Sequence, residues 1–373
     1  METYRVSSRV RDEEREYLIQ TMNDAHVSAV STTVFVNGVQ KEISNCPHPT
    51  EVTPEEILSL VKVTHGEKKK EIETLLQAYH RALGSASPDM AYHLGLAFFY
   101  KGFIDEAHQL FSAAVSSKPD YHEALNHLGQ TESALGRRDR AIEALSRAVE
   151  LRPAYADYRN NLGEVFLTNN APKRAVLEFE QAISINMYYA DAYLNLGLAY
   201  LQQELTAPNQ ANLPAMLARI LDCLRKAALI HSGYNNPQYE EGLEAVTQGD
   251  LLRAFAVFKR IRETKKENHR QEFSSFYMRF VAFPDLVSEK VITDRIEFLK
   301  GEIAKNPNYV DLHAELGHCF LEQARLSWQQ AVEEFRRSSE INPSLAKLRS
   351  ALDTTEKVYA AISQALTRIS EKG

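Results

Sequence analysis

The chain has 373 residues but only three cysteines, which stand far apart at Cys46, Cys223 and Cys319. An odd number of widely spaced cysteines does not form the framework of a disulfide-rich domain. No apolar run approaches the length of about 20 residues that crosses a bilayer. The charged segment 1–15 lacks the apolar centre of a secretory signal. These absences favour a cytoplasmic protein that is not inserted in a membrane.

Positive charge is also scarce. The sequence has 43 Lys and Arg against 50 Asp and Glu, which gives a formal net charge of −7. We expect no helix to carry a basic stripe along one face. This balance argues against nucleic acid as a partner.

Motifs that support catalysis or cofactor binding are missing as well. The sequence has no glycine-rich phosphate loop, no His-Glu-x-x-His and no Gly-x-Ser-x-Gly. Cys46 and His48 are two conceivable metal ligands, but a structural zinc site takes four. We therefore predict no catalytic residue, no metal site and no cofactor, and a protein that is not an enzyme.

What the sequence does contain is a period of 34 residues. Four Leu-Gly pairs recur at this spacing, with their glycines at Gly95, Gly129, Gly163 and Gly197. Small and then bulky apolar residues follow the first three glycines at fixed distances, namely Ala107, Ala141 and Ala175, then Phe111, Leu145 and Phe179. Small residues let two helices approach closely, and bulky ones fill the space between neighbours. Gly102 and Gly136 fit tight turns, where a positive φ favours glycine. The pattern resembles the tetratricopeptide repeat, a helix–turn–helix unit.

The resemblance implies a mainly α fold. We expect a superhelical α-α solenoid of about six to seven repeats over residues 88–345, with an insertion at about 204–215 and a degenerate unit at 269–309. A C-terminal capping helix is expected over 346–373.

Residues 1–50 are different in character. They are rich in β-branched and aromatic residues, and Asn37-Gly38 is a strong signal for a hairpin turn. We predict a small antiparallel β-meander, followed over 51–87 by a long capping helix. Thr53, Pro54 and Glu56 form the sequence signature of its N-terminus.

In tetratricopeptide proteins, the first helix of each repeat lines a concave groove. Carried over to this chain, the resemblance gives as candidate peptide-binding residues Tyr92, His93, Asn126, His127, Asn160, Asn161, Glu164, Asn195 and Tyr239. An asparagine amide donates and accepts at once, so it can pair with a peptide backbone of any sequence. Asn161 and Asn195 resemble the asparagine ladder of O-linked N-acetylglucosamine transferases, whereas His93 and His127 depart from it. Asparagine is also common at this position in repeats that bind no peptide, so packing is the alternative interpretation.

The second residue of successive repeats is mostly acidic, reading Asp89, Glu123, Asp157, Asp191, Asn236 and Asp311. Acids in the first turn stabilise a helix by a few tenths of a kcal/mol, and they also place negative charge along one rim. Positions two, five, six, nine and twelve of the recognisable repeats contain no lysine or arginine. The basic clamp that grips acidic C-terminal tails is therefore missing. We predict a groove that prefers neutral or basic extended segments.

The main functional hypothesis is a non-enzymatic adaptor or scaffold that binds such a segment of a partner protein. One alternative is a regulatory subunit that recruits substrates to a separately encoded enzyme. Another is a self-assembling scaffold, with a homo-oligomer formed through an exposed edge of the N-terminal sheet. The repeat fold by itself does not decide between them.

Overall fold

The computed structural model of the protein describes residues 3–12, 15–24, 28–49, 51–84, 87–208, 212–277, 289–305, 310–341 and 350–361. It begins with an antiparallel sheet whose strands follow the order of the chain: β1 (Arg5–Asp12), β2 (Arg15–Asp24), β3 (Ala29–Val36) and β4 (Val39–Pro47). Asn37 and Gly38 turn the chain between β3 and β4 with φ of 49° and 82°, as a tight hairpin requires. The predicted meander is confirmed.

A long helix, α1 (Pro54–Leu83), covers one face of the sheet. The Thr53 side chain accepts a hydrogen bond from the Glu56 amide, and the Glu56 carboxylate accepts one from the Thr53 amide. This capping box satisfies two backbone donors at the start of the helix. Ile57 and Val61 then pack against Val30 of β3. The second half of α1 lies against the first helix pair, so the expected capping helix is confirmed.

Helix pairs follow in the order α2 (Pro88–Tyr100) and α3 (Ile104–Ser117), α4 (His122–Ala134) and α5 (Arg138–Leu151), α6 (Ala156–Thr168) and α7 (Pro172–Ile185), α8 (Ala190–Thr206) and α9 (Leu213–Ile230), α10 (Pro237–Thr247) and α11 (Leu251–Tyr277). One buried cluster extends from Leu125 in α4 to Ile261 in α11. Such a shared core is what stacked repeats form, because no single pair can bury its apolar face alone.

The fifteenth residue of a repeat makes the turn within a helix pair. It has a positive φ in four repeats, at Gly102, Gly136, Asn170 and Gly249. Glycine and asparagine adopt this conformation most easily. The corresponding residue of the fourth repeat is Glu204, and α8 continues through it to Thr206.

Two further helices are described after α11, namely α12 (Glu289–Lys305) and α13 (Val310–Ile341), which pack against each other. Residues 350–361 are also helical. Ala324 stands in α13 where other repeats have their turn residue, and alanine is the strongest helix former. Residues 310–341 therefore form one continuous helix without an internal turn.

The glycines of the 34-residue period make room for a bulky side chain of the second helix. A Cβ added to Gly163 would lie 2.6 Å from Cε1 of Phe179, and one added to Gly95 would lie 2.6 Å from Cε1 of Phe111. Both rings are fully buried. The period therefore records a contact between the two helices of each pair.

Buried charges join the sheet to the first repeat. Glu106 of α3 accepts a hydrogen bond from the Tyr17 hydroxyl of β2 at 2.5 Å and pairs with Arg15 at 3.0 Å. Lys101, whose side chain is 2% exposed, pairs with Glu42 of β4 at 3.1 Å. A buried charge that loses its partner is costly. These pairs therefore fix how the sheet sits on the repeats.

Candidate functional site: the concave face of the repeat array

The candidate groove residues divide into two sets by exposure. Five are buried within the array, namely Tyr92, Asn126, Asn160, Asn195 and Tyr239. The other four are half-buried, namely His93, His127, Asn161 and Glu164. All nine lie on the first helices of their pairs, because the 34-residue period brings the same positions to the same side of the array.

The asparagines pair with one another between successive repeats. Asn161 Nδ2 donates to Asn126 Oδ1 at 2.9 Å, and Asn195 Nδ2 donates to Asn160 Oδ1 at 2.9 Å. Asn195 Nδ2 also lies 3.1 Å from Oε1 of Glu164. These amides connect the first helices of three repeats. They therefore have the packing role that the sequence analysis gave as the alternative to peptide binding.

The aromatic candidates also contact their own neighbours. The Tyr239 hydroxyl donates to the Leu224 carbonyl at 2.7 Å and is fully buried. His127 Nδ1 donates to the Glu123 carbonyl at 3.0 Å, which places the ring hydrogen on Nδ1 because a carbonyl only accepts. Burial lowers the pKa of His127 to about 4. His127 is therefore neutral at pH 7 and adds no positive charge to the face.

The most important feature of this face is that a helix of the same chain lies across it. α11 begins as the second helix of the fifth pair and continues well past the usual length. It packs against α10, then against α8 of the fourth pair and α2 of the first pair. At a rise of about 1.5 Å per residue, 27 residues reach about 40 Å. That length is enough to cross the stacked first helices.

Two lysines of α11 meet two acids of the groove. Lys265 Nζ lies 2.5 Å from Oδ1 of Asp191 and donates to the Tyr234 hydroxyl at 3.2 Å. Lys266 forms an ion pair with Glu164. The chain therefore places cations on the acidic positions identified in α6 and α8.

Both carboxylates are ionised at neutral pH. Burial alone would raise the pKa of Asp191, but the charge of Lys265, with hydrogen bonds from Lys265 and Tyr234, lowers it to about 2. Burial likewise opposes ionisation of Glu164, but the charges of Lys266 and Arg262 outweigh it and lower its pKa below the ordinary value. The face is thus electrostatically negative where α11 crosses it.

Farther along, α11 reaches the first repeat and the sheet. The His269 ring lies 6.2 Å from the Tyr100 ring. A Cβ added to Gly102 would come within 2.1 Å of Nη1 of Arg270 and 3.3 Å of the Lys41 carbonyl in β4. The turn glycine of the first repeat therefore also leaves space for a guanidinium of α11.

The basic residues of α11 were missed by sequence reasoning. The expectation that no helix carries a basic stripe is wrong for α11, since one of its faces reads Arg262, Lys265, Lys266, His269 and Arg270. The signal was a helical spacing of three and four residues, continuing past the end of the fifth repeat with no turn residue to stop it. The boundary placed between 268 and 269 falls inside this helix.

Among the residues that the structure describes, no three His, Cys, Asp or Glu side chains lie together as a metal site would need. Within the same parts of the chain, no helix combines the length and apolarity required to cross a bilayer.

Part of the array of helix pairs matches a known family. A tetratricopeptide repeat model matches residues 92–132 and 127–189, which are repeats one to three. These residues are tetratricopeptide repeats, and the N-terminal sheet lies outside the matched segments. Arrays of such repeats form extended concave binding surfaces.

Several solved structures are similar over about half of the chain. A crystal structure of MamA is 25% identical and aligns over 46% of this chain and 95% of its own length, with a TM-score of 0.34. YrrB, described as a TPR protein with an unusual peptide-binding site, is 13% identical over 56% of this chain and 93% of its own, with a TM-score of 0.34. A mutant O-GlcNAc transferase of Thermobaculum terrenum is 22% identical over 42% of this chain and 26% of its own, with a TM-score of 0.31.

None of these TM-scores reaches 0.5, so the three likenesses say nothing about what the groove of this chain binds. No curated protein matches the sequence.

Proposed function

We propose that the protein is a non-enzymatic scaffold whose concave face binds a neutral-to-basic segment of a partner protein. The half-buried candidates His93, His127, Asn161 and Glu164 are the proposed contact residues. The buried candidates Tyr92, Asn126, Asn160, Asn195 and Tyr239 hold the helices that present them.

The charge of the face supports this preference. Glu164 and Asp191 are ionised, and His127 is neutral. Where Lys265 and Lys266 leave these acids, an incoming carboxylate would meet like charge, whereas a lysine or arginine would meet an opposite charge. Like charges that face each other across an interface suppress a wrong partner.

The observation that carries the proposal is the pair of contacts Lys265–Asp191 and Lys266–Glu164. They show the face accepting two neighbouring cations of a segment that is remote in sequence. Glu164 and Lys266 are 102 residues apart along the chain, so this contact depends on complementary charge and shape and not on local geometry.

Calorimetry on the full chain tests the proposal with three peptides of equal length. One carries lysines, one is uncharged, and one ends in Glu-Glu-Val-Asp. We expect the lysine peptide to bind most tightly and the acidic peptide least tightly. Glu164→Gln should weaken binding of the lysine peptide relative to the uncharged peptide about fivefold, or about 1 kcal/mol.

Glu143→Gln is the matched control, because Glu143 is an exposed residue of α5 and the substitution removes the same charge. It should change neither affinity. Equal or tighter binding of the acidic peptide by the unmodified protein would contradict the proposal.

A further inference from the structure

An extended ligand would need hydrogen-bond partners that the asparagines of this groove largely use between themselves. Each residue of an extended peptide presents a backbone N–H and C=O, and these groups must be satisfied when they are buried. The Asn126 and Asn160 carbonyl oxygens already accept from Asn161 and Asn195, each at 2.9 Å. The amide ladder is therefore engaged in holding repeats together.

The segment that does lie on the face avoids this difficulty. α11 is helical from Leu251 to Tyr277, so the backbone groups of its interior are satisfied within the helix. It meets the groove through side chains, with Lys265 on Asp191 and Lys266 on Glu164. A helix needs from this face only charge and shape.

We infer that the partner segment recognised by this face is itself a basic α-helix. The second half of α11, residues 262–270, occupies the binding site of this segment until the partner displaces it. The inference rests on the proposed function and specifies the ligand further. The ligand carries cations placed as in Arg262, Lys265, Lys266 and Arg270, where two adjacent lysines lie between two arginines along one side of the helix.

The contact between α11 and the face is suited to replacement. The Lys266 side chain is 56% exposed, so its ion pair with Glu164 is screened by solvent. Arg262 Nε and Asn195 Oδ1 are buried without a hydrogen-bond partner in the described part of the protein. A buried polar atom without a partner costs free energy, so these two atoms weaken the packing of α11 on the face. A ligand that donated a hydrogen bond to Asn195 Oδ1 would bind better than α11 does.

Displacement has a measurable consequence. A ligand that binds only the open groove has an apparent dissociation constant equal to its intrinsic constant divided by the open fraction. Loosening α11 raises that fraction and must tighten binding of the ligand. Removing both lysine contacts should tighten it about tenfold, or about 1.4 kcal/mol.

The test uses the full chain and the double variant Lys265→Ala/Lys266→Ala. Its control is Lys259→Ala/Arg260→Ala, which also removes two cations from α11, but at exposed positions. The probe is a peptide copy of residues 258–272, stapled into a helix. A second peptide carries Thr264→Pro, which leaves the charge unchanged but breaks the helix. Affinities are measured by calorimetry, and hydrogen exchange follows the amides of residues 262–270.

We expect the stapled peptide to bind the double variant about tenfold more tightly than it binds the unmodified chain or the control variant. The proline peptide should bind at least tenfold more weakly than the stapled one. In the unmodified chain, bound peptide should accelerate exchange of residues 262–270 and leave α4 and α6 unchanged. These results together would establish that a helical ligand replaces α11.

Other outcomes overturn the inference in distinguishable ways. If the proline peptide binds as tightly as the stapled one, the ligand is extended and the inference fails while the proposed function stands. If the peptide binds without affecting exchange in α11, it occupies another surface and the inference fails. If the double variant binds neither basic peptide, the proposed function fails as well.

Discussion

Two chemically identical substitutions, Gly163→Ala and Gly66→Ala, should change the stability of the protein in opposite directions. Both glycines lie inside helices, so alanine gains about 0.8–1.0 kcal/mol of helix propensity at either site. The difference comes from what the added methyl group meets. At Gly66 nothing lies within 4 Å of the new Cβ.

At Gly163 the new Cβ would lie 2.6, 2.8 and 3.0 Å from three carbons of the Phe179 ring. Ordinary carbon contacts are about 3.5–4.0 Å, and Phe179 is fully buried. The ring can move only by disturbing its neighbours, and overpacking of this kind costs about 1–3 kcal/mol. After the propensity gain, we expect Gly163→Ala to destabilise by about 1 kcal/mol and Gly66→Ala to stabilise by about 0.5–1 kcal/mol.

Urea unfolding followed by circular dichroism measures both changes. A rescue variant adds a second check, because all three atoms that the new Cβ meets belong to the Phe179 ring. In Gly163→Ala, the further change Phe179→Ala should cost less than Phe179→Ala does alone, since it removes the ring that the new Cβ overlaps. If Gly163→Ala stabilised the protein as Gly66→Ala does, our account of the repeat spacing would be refuted.

Two more substitutions test the charged contacts. Glu106→Gln should destabilise the protein by about 3 kcal/mol, because it leaves Arg15 without its buried carboxylate. Urea unfolding measures this loss of stability, and faster hydrogen exchange in β2 would locate it at the sheet. Unchanged exchange in β2 would contradict the prediction. Asp191→Asn should cost about 1–2 kcal/mol at pH 7, since the pKa of Asp191 falls from its ordinary 3.8 to about 2 in the fold. A carboxylate whose pKa is lowered by folding stabilises the fold at pH values above its ordinary pKa. The difference in unfolding free energy between Asp191→Asn and the unmodified protein should therefore disappear as pH falls from 3.8 to about 2. A difference that stayed constant over this range would show that the Asp191 carboxylate is not the cause.

Local sequence signals predicted the architecture well where a single residue decides the backbone. Asn37-Gly38 set the hairpin, and Thr53 with Glu56 set the start of α1. Gly102 and Gly136 were predicted to turn with a positive φ and do so at 79° and 75°. Each of these features depends on contacts within a few residues, so the sequence alone contains the information.

The candidate site was harder to predict, because helical neighbours point in different directions. Adjacent residues on a helix are about 100° apart, so the fifth and sixth positions of a repeat point in different directions. Asn160 is buried between helices while Asn161 is half-buried. The position of a residue within its repeat identifies the helix on which it lies. It does not show which side of that helix a neighbouring helix covers. The nine candidate residues therefore stay a prediction until binding is measured.

The position of α11 could not be derived from periodicity at all, since it depends on charges brought together across the solenoid. The same acids that are explained locally as helix-stabilising residues also form a rim of negative charge. Asp191 sits in the first turn of α8 and also contacts Lys265. Such a rim attracts whatever cationic helix can reach it, and α11 is attached to the end of the array with enough length to do so. Because α11 lies on this face, the proposed function requires a partner that binds the rim better than α11 does.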